Sequence, residues 1–327
     1  MPQLSSDKSI TRKAAPAAPG RTANLLNSDT DLFLVYVGME TDLIFTRGID
    51  LPGFASYPLL QTEDGRALLK EHLRNLVDLG RVEGTGVILE SPTWVANRDR
   101  AAPLGYSPAQ LRHLNQQAVE LMDEVRSEAR DVPTLISANL GPRDDAYAPA
   151  DQMNADQAER YHSDQISALS ATAVDVVSAY TLAYSAEAIG IVRAAQRFDL
   201  PVVISFTVET DGRLPTGETL ADAITAVDTA TDAYTTYFMI NCAHPDHFAK
   251  TLVDEPWIQR VKGIVANASR CSHAELDEAE ELDDGNPREL GKQLADIKRR
   301  LPHIRVLGGC CGTDMRHMKC IAQTSKS

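Results

Sequence analysis

The sequence predicts a single-domain α/β protein with the (β/α)₈ architecture of a TIM barrel. Three observations lead to this prediction. Eight short β-branched runs follow one another, helix-length amphipathic segments separate most of them, and 327 residues are enough for eight such units. Apolar strands that alternate with amphipathic helices indicate a parallel sheet covered by helices. An open nucleotide-binding sheet has less support, because no G-x-G-x-x-G follows the first run and the chain contains no G-x-x-x-x-G-K-[ST].

The strand candidates are identified by their β-branched and aromatic residues. In chain order they are DLFLVYV (31–37), GVILES (86–91), TLISANL (134–140), VDVVSAYT (174–181), PVVISFTV (201–208), YFMINCA (237–243), GIVANAS (263–269) and IRVLGGCC (304–311). Apolar residues three and four apart predict helices between them, for example over 65–80, 109–129, 158–172 and 185–198. The carboxyl ends of all the strands would meet at one mouth, where barrels of this kind have their active sites.

The composition favours small-molecule chemistry. The chain is 43% hydrophobic and 24% charged, as expected of a globular protein, and its formal net charge is −14. This charge argues against binding to nucleic acid or an anionic membrane, because neutralising phosphates requires clustered Lys and Arg. No apolar run approaches the ~20 residues of a membrane span. We therefore expect a cytoplasmic protein whose partners are small molecules and include neither nucleic acid nor a membrane. Assembly as a homo-oligomer is left open.

Residues 1–30 differ in composition from the rest of the chain. They are rich in Ala, Pro, Ser and basic residues, and only Asp7 and Asp29 are acidic. This composition predicts a disordered N-terminal tail that precedes a barrel domain at 31–327. A transit peptide has a similar composition and is the alternative interpretation.

Three of the five cysteines stand at predicted strand ends. Cys242 closes the sixth run, and Cys310 and Cys311 close the eighth. The two runs are too far apart in the chain for a zinc ribbon or knuckle, whose ligands come from tight local turns. Only a closed barrel would bring these three thiols together. Clustered thiols in a reducing compartment indicate metal binding or catalysis more often than a disulfide framework.

The two adjacent cysteines need an unusual backbone to share one ion. Neighbouring strand residues point to opposite faces, so Cys310 and Cys311 can meet only where the chain leaves strand geometry. Gly308, Gly309 and Gly312 allow that distortion. Three thiolates with the fourth tetrahedral position free match the layout of a catalytic zinc site. The alternative is that the pair are two small buried core residues.

The remaining thiols and imidazoles have weaker settings. Cys271 and Cys320 are interpreted as incidental. Four histidines are interpreted as surface or helix-capping residues, namely His244, His247, His273 and His317. Of these, His244 is the best candidate for a metal ligand because it follows Cys242 closely.

Two stretches, INCAHPDHF (240–248) and VLGGCCGTDMRHM (306–318), resemble the paired cysteine motifs of the homocysteine S-methyltransferase family. That family includes betaine-, S-methylmethionine- and cobalamin-dependent enzymes. Weaker similarities follow in the same order along the chain, at 38–52, 89–97, 139–147 and 201–224. The resemblance therefore covers about residues 31 to 322, and it implies the same (β/α)₈ barrel.

The resemblance implies a zinc-dependent S-methyltransferase of the EC 2.1.1 class. Cys242, Cys310 and Cys311 would bind Zn²⁺, and the sulfur of homocysteine would take the fourth position. Zinc coordination removes the thiol proton, and the thiolate can then attack a methyl group on a sulfonium or quaternary ammonium donor. The product would be methionine, which suggests a role in methionine biosynthesis. S-methylmethionine, betaine and S-adenosylmethionine all stay open as donors.

The chain departs from the family pattern at two positions. Members commonly carry Asp-Gly where this chain has Tyr36-Val37, and Glu where it has Tyr180, and those carboxylates help to hold the amino group of homocysteine. Either Glu40 or Glu90 holds that amino group here, or the acceptor is another thiol. The predicted substrate-binding residues are those expected at the same mouth, namely Glu40, Glu90, Ser91, Thr93, Trp94 and Asn241. The alternatives are a supporting or surface role for the two glutamates, simple packing for Trp94 and a structural role in the strand-end turn for Asn241.

Two other functions remain as alternatives. The first is a metal-binding barrel that has lost or changed its homocysteine specificity and binds another thiol ligand without methyl transfer, which Tyr36 and Tyr180 would explain. The second is an unrelated barrel enzyme, such as an aldolase or a lyase. That chemistry needs a Lys at a strand end or paired acid and base residues, and the predicted strand runs contain no Lys.

Overall fold

The computed structural model describes residue 26, residues 30–279 and residues 281–326. The predicted disordered tail at 1–30 therefore lies outside the described residues except for Leu26 and Thr30. The backbone carbonyls of these two residues accept hydrogen bonds from the guanidinium of Arg305.

Eight parallel strands form one closed barrel in the order β1 to β8, with β8 paired to β1. The strands are β1 Phe33–Val37, β2 Gly86–Glu90, β3 Thr134–Leu140, β4 Val176–Leu182, β5 Val202–Phe206, β6 Tyr237–Asn241, β7 Val261–Ala266 and β8 Val306–Gly309. Each of the eight predicted runs overlaps one strand, although β4 ends one residue after its run and β7 begins two residues before its run. The prediction of a single-domain (β/α)₈ barrel is confirmed.

Helices follow the strands and cover the outside of the barrel. They are α1 Met39–Thr41, α2 Glu63–Glu83, α3 Arg98–Ala101, α4 Pro108–Glu128, α5 Ala155–Leu169, α6 Ser185–Arg197, α7 Leu220–Ala230, α8 Pro245–Phe248, α9 His273–Asp277, α10 Pro287–Arg300 and α11 Met315–Ser325. Short 3₁₀ turns occur at Pro52–Phe54, Tyr57–Gln61, Ala102–Leu104 and Pro256–Arg260, and a π-helical turn at Asp42–Thr46. In the described part of the chain, no helix has both the length and the hydropathy to cross a membrane.

Local sequence sets where the long helices begin. The Ser107 side chain accepts a hydrogen bond from the backbone N–H of Gln110, and the Gln110 side chain bonds back, so α4 starts with a capping box. Asn154 and Gln157 form the same motif at the start of α5. These caps satisfy backbone N–H groups that have no partner inside the helix.

Alternating strand side chains divide the apolar residues into two layers. Phe33 and Val35 of β1 belong to an inner cluster that fills the barrel, whereas Leu34 packs in the larger layer between strands and helices. The inner cluster also contains Tyr180, Cys242 and Cys310. The barrel interior is therefore a packed core that ends at the cysteines.

Candidate metal and active site

A cavity of about 410 Å³ opens at the carboxyl ends of the strands. Its lining includes the three cysteines of the predicted metal site, together with three residues of the predicted substrate-binding set, Glu40, Trp94 and Asn241. The other three residues of that set, Glu90, Ser91 and Thr93, are buried and are not among the lining residues.

A larger groove of about 900 Å³ lies on the outside of the barrel, between α2 and α4. Its basic side chains are engaged by acidic residues of α4, since Arg66 and Lys70 pair with Glu124. Arg74 pairs with Glu128. This groove is remote from the strand ends, and its Arg and Lys side chains are already paired, so the strand-end cavity is the better candidate site.

The sulfur atoms of Cys242, Cys310 and Cys311 all lie within 4.8 Å of one another. The Cys242 and Cys311 sulfurs are 3.4 Å apart. Cys242 and Cys310 are buried, and Cys311 is half-buried. Thiolates are favoured ligands of Zn²⁺, and sulfurs at these separations can each reach one ion at the usual Zn–S distance of ~2.3 Å. The three residues therefore fit a zinc ion.

The backbone leaves strand geometry at the cysteines. β6 ends at Asn241 and β8 at Gly309, so both strands are shorter than the predicted runs. Cys242 has a positive φ of 57°, and Gly312 has a φ of 77°. Any other residue at position 312 would place its Cβ only 2.8 Å from the carbonyl oxygen of Asp283. Of the three glycines predicted to allow the distortion, Gly312 has the left-handed backbone, whereas Gly308 and Gly309 are still part of β8. The chain therefore leaves strand geometry at the cysteines, after Gly309.

Tyr36, Thr181 and Cys242 combine a bulky or branched side chain with a left-handed backbone. Their φ values are 45°, 62° and 57°. All three stand at or near the ends of strands, and all three line the cavity. Non-glycine residues in this conformation are strained, and such strain concentrates at functional sites. These strained backbone conformations therefore indicate a functional site at this mouth, independently of the thiols.

Two aromatic rings support Cys242 from the loops. The Tyr147 hydroxyl lies 2.9 Å from the Cys242 sulfur. The Tyr147 ring stacks on the ring of His273, with centroids 3.9 Å apart. His273 donates from Nε2 to the carbonyl oxygen of Cys242 at 2.7 Å and lies 2.9 Å from Glu209 through Nδ1. Side chain and backbone of the first cysteine are therefore both held by hydrogen bonds.

The three thiols of the cluster differ in their pKa values. Hydrogen bonds from Cys310 and Cys311, together with that from Tyr147, hold the pKa of Cys242 well below its usual range. Hydrogen bonding to Cys242 in turn raises the pKa values of Cys310 and Cys311 well above theirs. Cys242 is therefore the most acidic of the three thiols.

Glu40 follows β1 and is 7% exposed. The Tyr36 hydroxyl donates a hydrogen bond to one of its carboxylate oxygens. The Ser56 hydroxyl donates to the other at 3.0 Å. Both oxygens of the Glu40 carboxylate therefore accept hydrogen bonds from hydroxyl groups.

Glu90, at the end of β2, also accepts a hydrogen bond from a tyrosine hydroxyl. The Tyr180 hydroxyl donates to one Glu90 oxygen at 3.1 Å, and the other oxygen, fully buried, has no partner among the described residues. Burial raises the pKa of Glu90 to about 8, so that this carboxyl is mainly neutral at pH 7. The Tyr36 and Tyr180 ring centroids lie 6.2 Å apart.

Ser91 and Thr93 join the ends of β2 and β3. The Thr93 hydroxyl donates to the carbonyl oxygen of Asn139 at 2.8 Å, and the Asn139 N–H donates to Ser91 at 2.8 Å. Trp94, next in the chain, lines the cavity and donates its indole N–H to the Tyr180 carbonyl at 3.4 Å. Ser91 and Thr93 therefore hold the backbone at the mouth, while the Trp94 ring lines the cavity.

Asn241 precedes the first cysteine and ties three strand ends together. Its amide oxygen accepts from the Thr181 N–H at 2.9 Å and from the Ser205 hydroxyl at 2.6 Å. Its amide nitrogen donates to the Thr181 hydroxyl at 2.8 Å. These bonds hold Thr181 in its left-handed conformation.

The histidines lie outside the sulfur cluster. His244 caps α8 by accepting the Asp246 N–H, and His317 takes part in the cap of α11. The position of His273 against Cys242 was not foreseen, nor was that of Tyr147. Tyr147 does end one of the stretches that resemble the family, and this is the signal that could have pointed to it.

The acidic segment 273–290 contributes to the rim of the cavity. Its many acidic residues predict a solvated loop and helix start. It contains α9 and the start of α10. Its residues Leu276, Asp277, Glu281, Leu282 and Asp283 line the cavity. The rim is therefore acidic as well as apolar.

A model of the homocysteine S-methyltransferase family matches residues 38–325. A comparison with curated protein sequences finds no match. The matched range begins just after β1 and ends with α11, so it includes all the lining residues described above except Tyr36.

Solved structures of the homocysteine methyltransferase MmuM from Escherichia coli share the fold. The oxidized form aligns with a TM-score of 0.72 and 20% identity, over 94% of this chain and 99% of that one. The metallated form aligns with a TM-score of 0.70 and 19% identity, over 94% and 100%. The apo form aligns with a TM-score of 0.65 and 18% identity, over 93% and 100%.

Proposed function

The chain belongs to the homocysteine S-methyltransferase family, and on this premise we propose that it methylates homocysteine or a related thiol at a zinc ion held by Cys242, Cys310 and Cys311. Family membership makes it a methyltransferase of the EC 2.1.1 class. The observation that carries the proposal is the convergence of three sulfurs, two of them 69 residues apart in the chain, at the mouth of the barrel.

The proposed role of Zn²⁺ rests on the chemistry of its ligands. When bound, Zn²⁺ would stabilise the acceptor sulfur as a thiolate at neutral pH, whereas a free thiol has a pKa of ~8.5. The chain's own contribution is to place three cysteine sulfurs at one point and to hold Cys242 through Tyr147 and His273. Such outer hydrogen bonds keep metal ligands in a fixed orientation.

The donor is proposed to be a sulfonium or a quaternary ammonium compound. Aromatic rings of Phe45, Phe54 and Trp94 line the cavity, and the rim also carries Asp277 and Glu281. Cations are attracted both to the faces of aromatic rings and to carboxylates. A positively charged methyl donor is therefore favoured at the mouth, with its methyl group directed toward the acceptor sulfur.

The reaction is a displacement at the methyl carbon. The thiolate sulfur forms a bond to this carbon while the bond from carbon to the donor sulfur or nitrogen breaks, and the electron pair leaves with the donor. The acceptor becomes a thioether and the donor loses its positive charge. Holding both reactants in line within a closed site is the main contribution that a protein can make to such a step.

The predicted substrate-binding residues take two kinds of proposed role. Glu40 and Trp94 line the cavity and are proposed to contact substrates. Glu90, Ser91, Thr93 and Asn241 are proposed to shape the site by holding the strand ends, as their hydrogen bonds support. A cytoplasmic location, the absence of nucleic-acid and membrane partners and a role in methionine biosynthesis stay predictions, and homo-oligomeric assembly stays open.

X-ray absorption at the zinc edge during a titration with homocysteine tests the proposal without knowledge of the donor. We expect three sulfur neighbours before homocysteine is added and four afterwards, with no change on adding homoserine, which carries oxygen in place of sulfur. Incubation with S-methylmethionine, betaine or S-adenosylmethionine should then yield methionine from one of them. A protein that binds no zinc would contradict the metal assignment. If zinc binds but its number of sulfur neighbours does not change on adding homocysteine, homocysteine is not the acceptor.

A further inference from the structure

Tyr147, whose hydroxyl contacts the sulfur of Cys242, stands on a long loop. The loop comprises residues 141–154, between the end of β3 and the start of α5, and it contains no helix or strand along its described length. Connections in compact domains are usually about 4–6 residues long, and longer ones without secondary structure are often functional. The position of the Tyr147 hydroxyl therefore depends on what holds this loop to the barrel.

Local hydrogen bonds give the loop its shape. One Asp145 carboxylate oxygen accepts the backbone N–H groups of Tyr147 at 2.7 Å and Ala148 at 2.8 Å. One Asp144 carboxylate oxygen accepts the backbone N–H of Asp151 at 3.3 Å. Aspartate side chains commonly stabilise turns in this way. These bonds join residues of the same loop, so they fix its conformation but not its position over the cysteines.

Glu187 connects the loop to the body of the barrel. It lies in the first turn of α6, and its side chain is 1% exposed. One of its carboxylate oxygens accepts the backbone N–H of Arg143 at 2.9 Å. Nε2 of His162, in α5, lies 2.9 Å from the same oxygen. A single buried carboxyl group thus joins the loop after β3 to two helices.

Arg143 also closes the segment that carries Tyr147. Its guanidinium donates to the carbonyl oxygen of Asp151 at 2.6 Å and to the carboxylate of the same residue at 2.7 Å. Because Tyr147 lies between positions 143 and 151, this contact joins the two ends of a segment that contains it. The hydrogen bond between Glu187 and Arg143 therefore stands at the base of this closed segment.

Two further hydrogen bonds hold the ends of the loop. Gly141 donates its N–H to the carbonyl oxygen of Trp94 at 2.8 Å. Met153 donates its N–H to the hydroxyl of Tyr184 at 3.1 Å. Both Gly141 and Met153 are farther from position 147 in the chain than Arg143 is, so these two bonds restrict the tyrosine less directly.

Another attachment lies beside the Arg143 bond. The guanidinium of Arg100 donates to the carbonyl oxygen of Asp144 at 3.2 Å. Arg100 is half-buried, whereas Glu187 is buried away from water, where a hydrogen bond is stronger and its loss costs more. Glu187 is therefore the main constraint near Tyr147.

The hydrogen bond that Tyr147 makes is sensitive to small displacements. Its hydroxyl lies 2.9 Å from the Cys242 sulfur, and hydrogen bonds weaken steeply as their geometry is distorted. Partners that hydrogen-bond to metal ligands commonly change metal affinity by about 10- to 100-fold. Glu187 and Arg143 are not among the residues that line the cavity, so an effect of Glu187 on the cysteines has to be exerted through the loop.

We infer that Glu187 is a positioning residue for the metal site, which holds Arg143 and thereby places Tyr147 against Cys242. This inference rests on the proposed function, because it requires the three cysteines to bind zinc. It makes zinc affinity depend on a buried carboxyl group that contacts neither the metal ligands nor the cavity.

The test compares the full-length wild type with substitutions of Glu187. Glu187→Ala removes the acceptor of the Arg143 N–H, whereas Glu187→Gln keeps an amide oxygen in its place. Glu187→Asp shortens the side chain by one carbon and is the milder variant should Glu187→Ala fail to fold. The matched control is His162→Ala, which removes the other buried partner of Glu187 and leaves the bond to Arg143. Each substitution is made both alone and together with Tyr147→Phe.

Three measurements are made on every variant. Competition with a chromophoric chelator gives the zinc affinity. Hydrogen exchange in peptides from 142–153, followed by mass spectrometry without metal, reports how firmly the loop is held. Thermal melting gives the stability, so that a loss of zinc affinity is separated from unfolding.

We expect Glu187→Ala to lower zinc affinity by about 10-fold, the lower end of the range for outer partners of metal ligands. Glu187→Asp should lower it by about fivefold, the effect of one hydrogen bond. Glu187→Gln should stay within about twofold of the wild type, because its amide oxygen accepts the same N–H. Hydrogen exchange in the loop should accelerate in Glu187→Ala and not in Glu187→Gln.

The double variants show whether Glu187 acts through Tyr147. In the Tyr147→Phe background, Glu187→Ala should change zinc affinity by less than about twofold, since two residues that act through one contact are not additive. His162→Ala should lower the melting temperature and leave zinc affinity within about twofold of the wild type, because a buried partner is lost while the loop stays attached.

Three results would overturn the inference. If Glu187→Ala and Glu187→Asp leave zinc affinity unchanged, or lower it equally with and without Tyr147→Phe, Glu187 does not act through the tyrosine, although the proposed function stands. An equal loss of affinity in His162→Ala would show a general effect of destabilisation, again with the proposed function intact. If the wild type binds no zinc, the proposed function fails together with the inference.

Discussion

The hydroxyl of Tyr147 lies 2.9 Å from the sulfur of Cys242, although 95 residues separate them in the chain. Tyr147 belongs to the loop after β3, and Cys242 to the turn after β6. Stacking on His273 fixes the tyrosine ring, and His273 itself donates to the Cys242 carbonyl. Loops from three separate parts of the barrel therefore converge on one thiol.

Loss of this hydrogen bond should raise the pKa of Cys242. Tyr147→Phe removes one of the donors that hold this pKa below its usual range in the metal-free protein. We expect the midpoint of Cys242 alkylation by iodoacetamide against pH to move upward by about 0.5 to 1 unit, the effect of one hydrogen bond of about 1 kcal/mol. Mass spectrometry of the alkylated peptide gives the midpoint.

A matched control for Tyr147→Phe is Tyr106→Phe. The Tyr106 hydroxyl bonds to Gln61 on the surface, away from the thiols, so its removal should leave the midpoint unchanged. An unchanged midpoint in Tyr147→Phe as well would show that the tyrosine does not influence the thiolate.

Each cysteine of the cluster should be required for metal binding. We expect Cys242→Ala, Cys310→Ala or Cys311→Ala to lower zinc affinity by more than about 100-fold, since even outer hydrogen-bond partners of metal ligands are worth 10- to 100-fold. Competition with a chromophoric chelator measures the affinity. Cys271→Ala and Cys320→Ala alter cysteines outside the cluster and should bind zinc as wild type does. Wild-type affinity in any of the three cluster variants would remove that residue from the site.

Glu90 should make the folded protein less stable as pH rises. Burial raises its pKa to about 8 in the folded state, whereas the unfolded chain has the ordinary value of ~4.3. The folded state therefore binds more protons between these values, and the stability that the neutral acid provides is complete below ~4 and is lost as pH rises to about 8.

Glu90→Gln removes this titration. Between about pH 5 and 8, the free energy of unfolding of the wild type should fall relative to the variant, by up to ~1.4 kcal/mol per pH unit. Urea denaturation at several pH values measures both proteins, with Glu120→Gln as a surface control. Parallel curves for wild type and Glu90→Gln would mean that Glu90 titrates normally in the folded protein.

Asn241 should matter for stability even if it never touches substrate. Asn241→Ala leaves Thr181 and Ser205 without their buried partner, and we expect a loss of about 3 kcal/mol in the free energy of unfolding. Ser205→Ala removes only one of these hydrogen bonds and should cost about 1 kcal/mol. Denaturant titrations give both values, and equal losses in the two variants would contradict the proposed network.

The sequence was sufficient for the barrel and the sulfur cluster because both depend on local patterns. Apolar runs identify strands, and the closed order of strands then requires Cys242 and Cys310 to share a mouth. The strand boundaries were too long at β6 and β8 because the turn begins with the cysteines themselves, and Cys242 adopts a left-handed backbone that residue type does not indicate.

The loop contacts could not be predicted in the same way. Tyr147 and Glu209 lie in loops with no periodic pattern, and their meeting at His273 and Cys242 depends on how each loop folds over the mouth. The pairing of Tyr36 with Glu40 has a local cause, since four residues separate them across the turn after β1. The pairing of Tyr180 with Glu90 spans 90 residues and requires the three-dimensional structure.

The position of the sulfur cluster also has a consequence for the lifetime of the protein. An ion bound by Cys242 and Cys311 would cross-link points 69 residues apart, and β8 closes the barrel against β1. An ion that binds only the folded state shifts the folding equilibrium toward that state by mass action. Resistance to proteolysis would then rise and fall with the concentration of free zinc, so metal supply would govern abundance as well as activity.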